Sequence, residues 1–532
     1  MAGSAPPPTD TEGMDAVTDH RDEGTPDPTR TVEEQNWVRY ASPAGRWVLL
    51  ATVLGSGIAF LDGTVVNVAL PRIGQELGAG ISTLQWVVNA YTLTLAGLLL
   101  LGGSLGDHYG RRRLFVIGVV WFATASLLCG LAPNAGALVA ARALQGVGAA
   151  LLTPGSLAII EASFHPDDRG AAIGAWSGLA GVTTAVGPFL GGWLVEAVSW
   201  RLIFFINLPL AAAVVWIAVR HVPESRDRNL APQLDYLGAA LAAVGLAGVI
   251  YALTDGPARG WTSPAILAAG LGGVAALVLF IEVERRGPHP MLPLDLFRSP
   301  QFTGANLVTF VVYGALGGAL FLLPIQLQRV LGYSPLASGV ALVPITVLML
   351  LLSARAGRLA QRIGPRLPMT VGPLVAGAGL ALLARADVGA SYGSGVLPGV
   401  IVFALGLSLT VAPLTATVLA AASPDHAGVA SAVNNSVARA AGLFAVAVLP
   451  TAAGISGAGA LDPAEFSAGF RVAMLIAGGV CAAGGLLGFA TIRTVRRPVE
   501  AAEPRPEEHE PCISCPVSVP PPRRVAAGAG RS

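Results

Sequence analysis

The sequence predicts an all-α membrane protein with fourteen spans. Hydrophobic residues make up 53% of the 532 residues and charged residues only 12%, with a mean hydropathy of +0.64, which is atypical of a water-soluble protein. Fourteen apolar stretches also approach or exceed the roughly 20 residues that a helix needs to cross a bilayer. They lie near 47–70, 84–106, 114–132, 136–160, 170–195, 201–219, 235–254, 264–283, 302–325, 335–354, 367–384, 394–421, 429–452 and 468–490.

Polar, proline-rich segments precede the first span and follow the last. Residues 1–45 contain few apolar residues and lack the pattern of a secretory signal. We therefore expect disordered cytoplasmic tails over 1–45 and 493–532. With both tails cytoplasmic, seventeen arginines of the loops and the last span's exit face the cytoplasm and six face the outside. This distribution agrees with the positive-inside rule.

One motif occurs twice. Residues 103–112 read GSLGDHYGRR and residues 357–366 read GRLAQRIGPR, with Gly, Leu, Gly and Arg at the same offsets. Each copy follows an even-numbered span, which indicates two homologous halves with a substrate site between them near the midplane. The copies lie too far apart for six plus six spans. We predict a six-helix bundle over 46–222, two additional spans over 223–286 and a second six-helix bundle over 287–492.

Two charged residues interrupt apolar spans. Asp62 lies in the outer half of the predicted first span, and Arg142 lies at a comparable depth in the fourth. A charge at the centre of a bilayer costs about 2.5–3.5 kcal/mol on insertion scales, so both side chains should face the bundle interior. We expect Asp62 to couple transport to protons, with Arg142 as its partner. A carboxyl buried for packing alone, and an arginine satisfied by backbone carbonyls, are the alternatives.

Composition argues against several other functions. The chain contains no lysine, which a phosphate-binding Walker loop and a Schiff-base enzyme both require. A net charge of +1 gives no support for a nucleic-acid partner. Cys512 and Cys515 form one pair, which cannot complete a tetrahedral zinc site. We expect no enzyme activity, no cofactor, no metal and no ATPase subunit; the expected partners are a small-molecule substrate, protons and the lipid bilayer.

Four blocks, in this order, carry a resemblance to a known family. They are LDGTVVNVALP (61–71), GGSLGDHYGRRR (102–113), ARALQGVGAA (141–150), and GPFLGGWL (187–194) followed by WRLIFFINLP (200–209). The chain resembles the fourteen-span drug:proton antiporters of the major facilitator superfamily, the EmrB/QacA type. The resemblance implies a major facilitator fold, with two six-helix bundles, two additional central transmembrane helices and cytoplasmic termini.

The resemblance also implies a function. It is proton-coupled efflux of amphipathic drugs, antibiotics or biocides across a bacterial cell membrane by alternating access. An exporter or symporter dedicated to one endogenous metabolite is the alternative.

The second block is the predicted conformational latch. The resemblance implies that it acts between spans two and eleven. From the residues themselves, Gly103 permits close approach of helices and Gly110 permits a tight turn. Asp107 could hold the next helix through its N-terminal amides or through Arg111.

The fifth-span block resembles the antiporter motif, a glycine-rich helix with a Gly-Pro kink. Small residues allow close helix packing, and proline removes a backbone hydrogen bond. Thr183 stands where the motif has a further glycine. The matching residues are Gly174, Gly187, Pro188, Gly191 and Gly192.

Further polar residues are candidates for the cavity wall. Asn89 and Tyr91 lie in the second span, and Arg439 lies in the thirteenth with no acidic residue near it in sequence. The polar residues of the second span could equally lie at the outer membrane interface. Arg439 could equally be structural. A largely apolar cavity suits amphipathic, cationic or aromatic compounds.

Overall fold

The computed structural model describes residues 37–226, 235–287, 290–422, 427–455 and 462–493. These residues include fourteen helices long and apolar enough to cross a membrane, each matching a predicted span. They are α1 Pro43–Leu77, α2 Ile81–Tyr109, α3 Arg111–Gly130, α4 Ala135–Ser163, α5 Pro166–Ala197, α6 Leu202–His221, α7 Tyr236–Arg259, α8 Pro264–Arg286, α9 Pro300–Val330, α10 Pro335–Ile363, α11 Arg366–Leu383, α12 Tyr392–Ala420, α13 Gly428–Ala452 and α14 Pro463–Thr491.

The first helix is longer than predicted at both ends. The Ser42 hydroxyl caps its start by accepting a hydrogen bond from the Gly45 amide at 3.0 Å. The helix continues through Pro71 and ends at Gly78, whose φ of 61° is the left-handed conformation of a C-cap. Asp62 therefore lies near the middle of α1, two residues beyond its midpoint on the side of Leu77.

The segment before α1 is ordered, contrary to the prediction of a disordered tail up to residue 45. Val38 pairs with the turn between α4 and α5: its amide donates to the Ser163 carbonyl at 2.8 Å, and the His165 amide donates to the Val38 carbonyl at 3.2 Å. Trp37 packs edge-on against His165. These contacts hold residues 37–42. The rest of the predicted tails, 1–36 and 494–532, lies outside the described residues.

The helices pack as two groups of six with a pair between them. Helices α1 to α6 pack together, as do α9 to α14. Helix α7 contacts both α2 and α13, and α8 packs on α7. The two groups meet along α2 with α13 and along α5 with α10. The partner of α2 is therefore α13 and not the eleventh helix, because the inserted pair shifts the count by two.

The two halves are closed against each other at one end. We call this the far end, where α1 ends and α2 begins; the tail end is where α1 begins and α14 ends. Among described residues, the hydrogen bonds between halves all lie at the far end. They join Gln85 Nε2 to the Val446 carbonyl (2.7 Å) and the Ala447 carbonyl (3.3 Å), Gln328 Nε2 to the Val68 carbonyl (2.8 Å), and the Leu336 amide to Glu196 Oε2 (3.0 Å).

The tail end is more open. The buried residues of α10 lie mostly in its far half, whereas Leu350, Leu351 and Leu359 in its tail half are exposed. On α5, a side-chain carbon added at Gly174, Gly178 or Gly181 would meet no atom within 4 Å. The structure is therefore closed at the far end and open toward the tail end.

Candidate functional site

A buried ion pair joins α1 to α4. Arg142 NH1 donates to Asp62 Oδ2 at 2.5 Å, and the two side chains are 1% and 0% exposed. Removing either partner would leave an uncompensated buried charge, which costs far more than the pair itself contributes. The structure thus brings together the two residues predicted to couple protons.

Two amides complete the surroundings of Asp62. Gln145 Nε2 donates to Oδ1 at 2.8 Å, and Asn207 Nδ2 donates to the same oxygen at 3.3 Å. Both amides also donate to the Ser126 hydroxyl, which donates in turn to the Phe204 carbonyl. The carboxylate therefore connects helices α1, α3, α4 and α6 in one hydrogen-bonded network.

Arg142 has partners beyond Asp62. Its Nε donates to the Val87 carbonyl of α2 at 3.0 Å, and NH1 also donates to Gln145 Oε1 at 2.7 Å. The guanidinium carbon lies 4.3 Å from the centre of the Tyr91 ring, within range of a cation–π interaction. The charge of Arg142 is therefore fully compensated from within the N-terminal half.

A cavity of about 220 Å³ adjoins this network. It lies between α1, α2, α4, α5 and α13, and both Tyr91 and Arg142 form part of its wall. Asn89 is completely buried and does not line this cavity. Its wall is formed by Ala59, Phe60, Gly63, Thr64, Val66, Asn67, Val88, Tyr91, Thr92, Arg142, Thr184 and Arg439.

Arg439 faces the cavity from the C-terminal half. Its Nε is buried without a hydrogen-bond partner among the described residues. The titratable groups that interact with it are the phenols of Tyr91 and Tyr313, and no described carboxylate does so. The cavity thus presents one compensated guanidinium and one that lacks a counter-charge.

The residues of the predicted latch make their contacts within the N-terminal half. Arg111 Nε forms an ion pair with Asp107 Oδ1 at 2.8 Å. The first amides of α3 are held by Glu224 instead of Asp107, because its carboxylate accepts from the Arg112 and Arg113 amides at 3.1 and 3.2 Å. Of the two ways in which Asp107 could hold α3, the structure contains the ion pair with Arg111.

Of the two glycines in the predicted latch, only Gly110 has a backbone conformation that requires glycine. Gly110 has a φ of 108°, a conformation that side chains rarely adopt, so the turn between α2 and α3 requires it. A side-chain carbon at Gly103 would lie 3.6 Å from Pro154, an ordinary contact. The expected close approach occurs at Gly102, where that carbon would lie 2.9 Å from the Ala150 carbonyl carbon. The prediction for Gly103 is therefore wrong by one residue.

The sequence model of the Major Facilitator Superfamily matches residues 52–447. The chain belongs to this superfamily. It is 39% identical to the puromycin resistance protein of Streptomyces alboniger over 77% of this chain and 82% of that protein. It is 34% identical to the tetracenomycin C resistance and export protein of Streptomyces glaucescens, over 79% of each.

A solved structure shows the same fold. A bacterial homologue of the human lysosomal transporter spinster, in an inward-facing and unoccupied conformation, aligns with a TM-score of 0.59 at 17% identity. The alignment covers 85% of this chain and 97% of that chain. The all-α prediction of a major facilitator fold is therefore confirmed, and the chain is a multi-pass protein of a bacterial cell membrane.

The glycine-rich helix of this superfamily member, α5, packs on both halves. A side-chain carbon at Gly191 would lie 3.1 Å from Val65 of α1, and one at Gly192 would lie 2.7 Å from the Leu336 backbone of α10. Gly187 meets Thr64 of α1 more closely still, and Pro188 lies against Gly339 of α10. Gly174 lies in the open part of α5. Gly192 and Pro188 therefore lie at the contact between α5 and α10 that closes the far end, whereas Gly187 and Gly191 pack α5 on α1 within the N-terminal half.

Sequence reasoning missed four contributors to these sites. Gln145 lies inside the third block quoted above and Asn207 inside the segment 200–209 that follows the fourth, and each is a polar residue in an apolar span, so that signal could have found them. Ser126 is too weakly polar to stand out. Glu224 lies in a charged loop, where nothing in the sequence distinguishes it as the cap of α3.

Proposed function

We propose that this protein exports small organic compounds from the cell in exchange for protons, by alternating access with its tail end in the cytoplasm. The observation that carries the proposal is the buried pair of Asp62 and Arg142 beside a cavity that both halves line. An intramembrane carboxylate is costly and an apolar residue would pack as well, so the presence of Asp62 points to function. The resistance and export activities named for its relatives support the direction of transport.

Helix α1 connects the proton site to the closed end. Asp62 lies on the same helix as Val68, whose carbonyl accepts from Gln328 of the C-terminal half at 2.8 Å. Thr64, between them, packs on Gly187 of α5. Facing out, Asp62 takes up a proton and substrate affinity falls; facing in, the proton leaves, the charged carboxylate pairs with Arg142 and substrate binding is favoured. We infer that this pair, by holding α1 on α4, couples loss of the proton to the far-end contacts of α1.

The membrane potential supplies enough energy for such export. One elementary charge crossing 100 mV yields about 2.3 kcal/mol. At about 1.4 kcal/mol per tenfold, this supports a concentration ratio near fifty. No bound nucleotide is needed, so the protein acts without an ATPase subunit.

Accumulation of dyes and antibiotics in a pump-deficient bacterial host tests the proposal. Wild-type protein should lower the accumulation of some compounds. Asp62→Asn, expressed at the same level, should not, and a protonophore should erase the wild-type effect. Export that survives Asp62→Asn or the protonophore would contradict proton coupling through Asp62.

A further inference from the structure

We propose that the cavity recognises compounds carrying an ionised acidic oxygen beside an apolar or aromatic body, and that Arg439 binds this oxygen. The inference rests on the proposed function and names its substrate class. It differs from the expectation from sequence, which allowed cationic compounds. It follows from the distribution of charge around the cavity.

The cavity wall carries positive charge only. Its two charged residues, among the described residues that line it, are Arg142 and Arg439. Asp62, the nearest carboxylate to Arg142, does not line the cavity, because its two oxygens are held by Arg142, Gln145 and Asn207. An organic cation in the cavity would therefore meet like charge and no exposed counter-charge.

Arg439 is available to a ligand in a way that Arg142 is not. Arg142 already serves Asp62, the Val87 carbonyl and Gln145. Arg439 has a buried Nε with no acceptor among the described residues. A guanidinium offers five N–H donors and matches the two oxygens of a carboxylate, so an acidic group would satisfy it best.

The rest of the wall suits the apolar body of such a compound. Ala59, Phe60, Val66 and Val88 provide apolar surface. The Thr64 and Thr92 hydroxyls donate to carbonyls of their own helices. Their protons are therefore in use, and of the two guanidinium groups in the wall only that of Arg439 has a buried nitrogen without an acceptor among the described residues.

Binding to purified protein in lipid nanodiscs tests the inference. The probes are fluorescein, which carries a carboxylate, and a rhodamine methyl ester, which has the same xanthene rings and a positive charge. Fluorescence anisotropy gives both dissociation constants. Because a charge-assisted hydrogen bond is at stake, we expect wild type to bind fluorescein about tenfold or more tightly than the rhodamine ester.

Variants at Arg439 separate charge from structure. Arg439→Gln should weaken fluorescein binding about tenfold and remove the preference, whereas Arg439→Lys should retain most of the preference. Arg72→Gln, at an exposed position on α1, is the matched control and should bind as wild type does. Size-exclusion elution and thermal unfolding check that each variant is folded.

Three results would overturn the inference: no fluorescein binding by folded wild type, equal or tighter binding of the rhodamine ester, or fluorescein binding unchanged by Arg439→Gln. The assay measures binding without transport. Failure of export in cells with normal fluorescein binding would therefore refute the proposed function and leave this inference standing.

Discussion

Asp62 and Arg142 stabilise the N-terminal half only as a pair. Each side chain is almost completely buried, and the carboxylate accepts from Arg142, Gln145 and Asn207 together. Protonation of Asp62 removes one charge and leaves the other without its counter-charge. The same arrangement that holds α1 on α4 therefore makes their packing sensitive to a proton.

A double substitution tests this dependence. Arg142→Gln leaves a charged Asp62 buried without its partner, so we expect it to destabilise the protein by about 3–5 kcal/mol. Adding Asp62→Asn should recover most of that loss, because no buried charge remains. Thermal unfolding of the purified variants measures both. A double variant no more stable than Arg142→Gln would show that the pair has no special coupling.

At the residue scale, sequence predicts intramembrane charges better than their uncharged partners. Asp62 and Arg142 are conspicuous because a charged side chain within a bilayer is energetically costly and therefore rare. Gln145 and Asn207 cost less to bury and give a weaker signal. Gly102 could not be distinguished from Gly103, because the sequence does not reveal which of two adjacent glycines faces α4.

At the scale of elements, the junction of α2 and α3 depends on one backbone conformation. Gly110 adopts a φ of 108°, and a side-chain carbon there would lie 2.7 Å from the Glu224 carboxylate. That carboxylate also holds the first amides of α3. The Glu224 carboxylate that caps α3 therefore occupies the space that a side chain at Gly110 would need.

Substitution of the two latch glycines separates them. Gly110→Ala should cost about 1–3 kcal/mol, because alanine strains this conformation and displaces Glu224. Gly103→Ala should change the free energy of unfolding by no more than about 0.5 kcal/mol, because the added methyl group would make only an ordinary contact with Pro154. Unfolding temperatures of the two variants test this difference, and an equal decrease in both would contradict the prediction.

Helix α5 offers a second prediction at this scale. Gly192→Ala forces a side chain against the Leu336 backbone and should destabilise closure of the far end. Ser338, completely buried on α10, reports on that closure. In protein whose native cysteines are replaced by serine, maleimide labelling of Ser338→Cys should become several-fold faster with Gly192→Ala. Gly174→Ala, in open space, should leave the rate unchanged; equal rates in all three would refute the role of Gly192.

At the scale of the whole molecule, the fourteen spans are predictable because a bilayer allows few alternatives to apolar helices. Their ends are less predictable. Helix α10 was expected over 335–354 but runs Pro335–Ile363, since a helix can continue beyond the hydrocarbon. The extension carries Arg355, Arg358 and Arg362, which end an apolar run without ending a helix. The partner of α2 could likewise not be predicted from the sequence, because only the packing of the helices shows where the two additional spans lie.

The closed far end, the open tail end and the cavity between them constitute one state of an alternating transporter. Alternating access requires a second state in which the far-end hydrogen bonds of Gln85, Gln328 and Glu196 are broken. Proton binding at Asp62 is the event that we propose drives the exchange.

Substrate-dependent proton movement tests this central claim most directly. Proteoliposomes containing a trapped pH-sensitive dye receive, on the outside, a compound that the accumulation assay identifies. Exchange predicts that the lumen becomes more alkaline with wild type and does not change with Asp62→Asn. Acidification of the lumen, or an equal response from Asp62→Asn, would contradict the account.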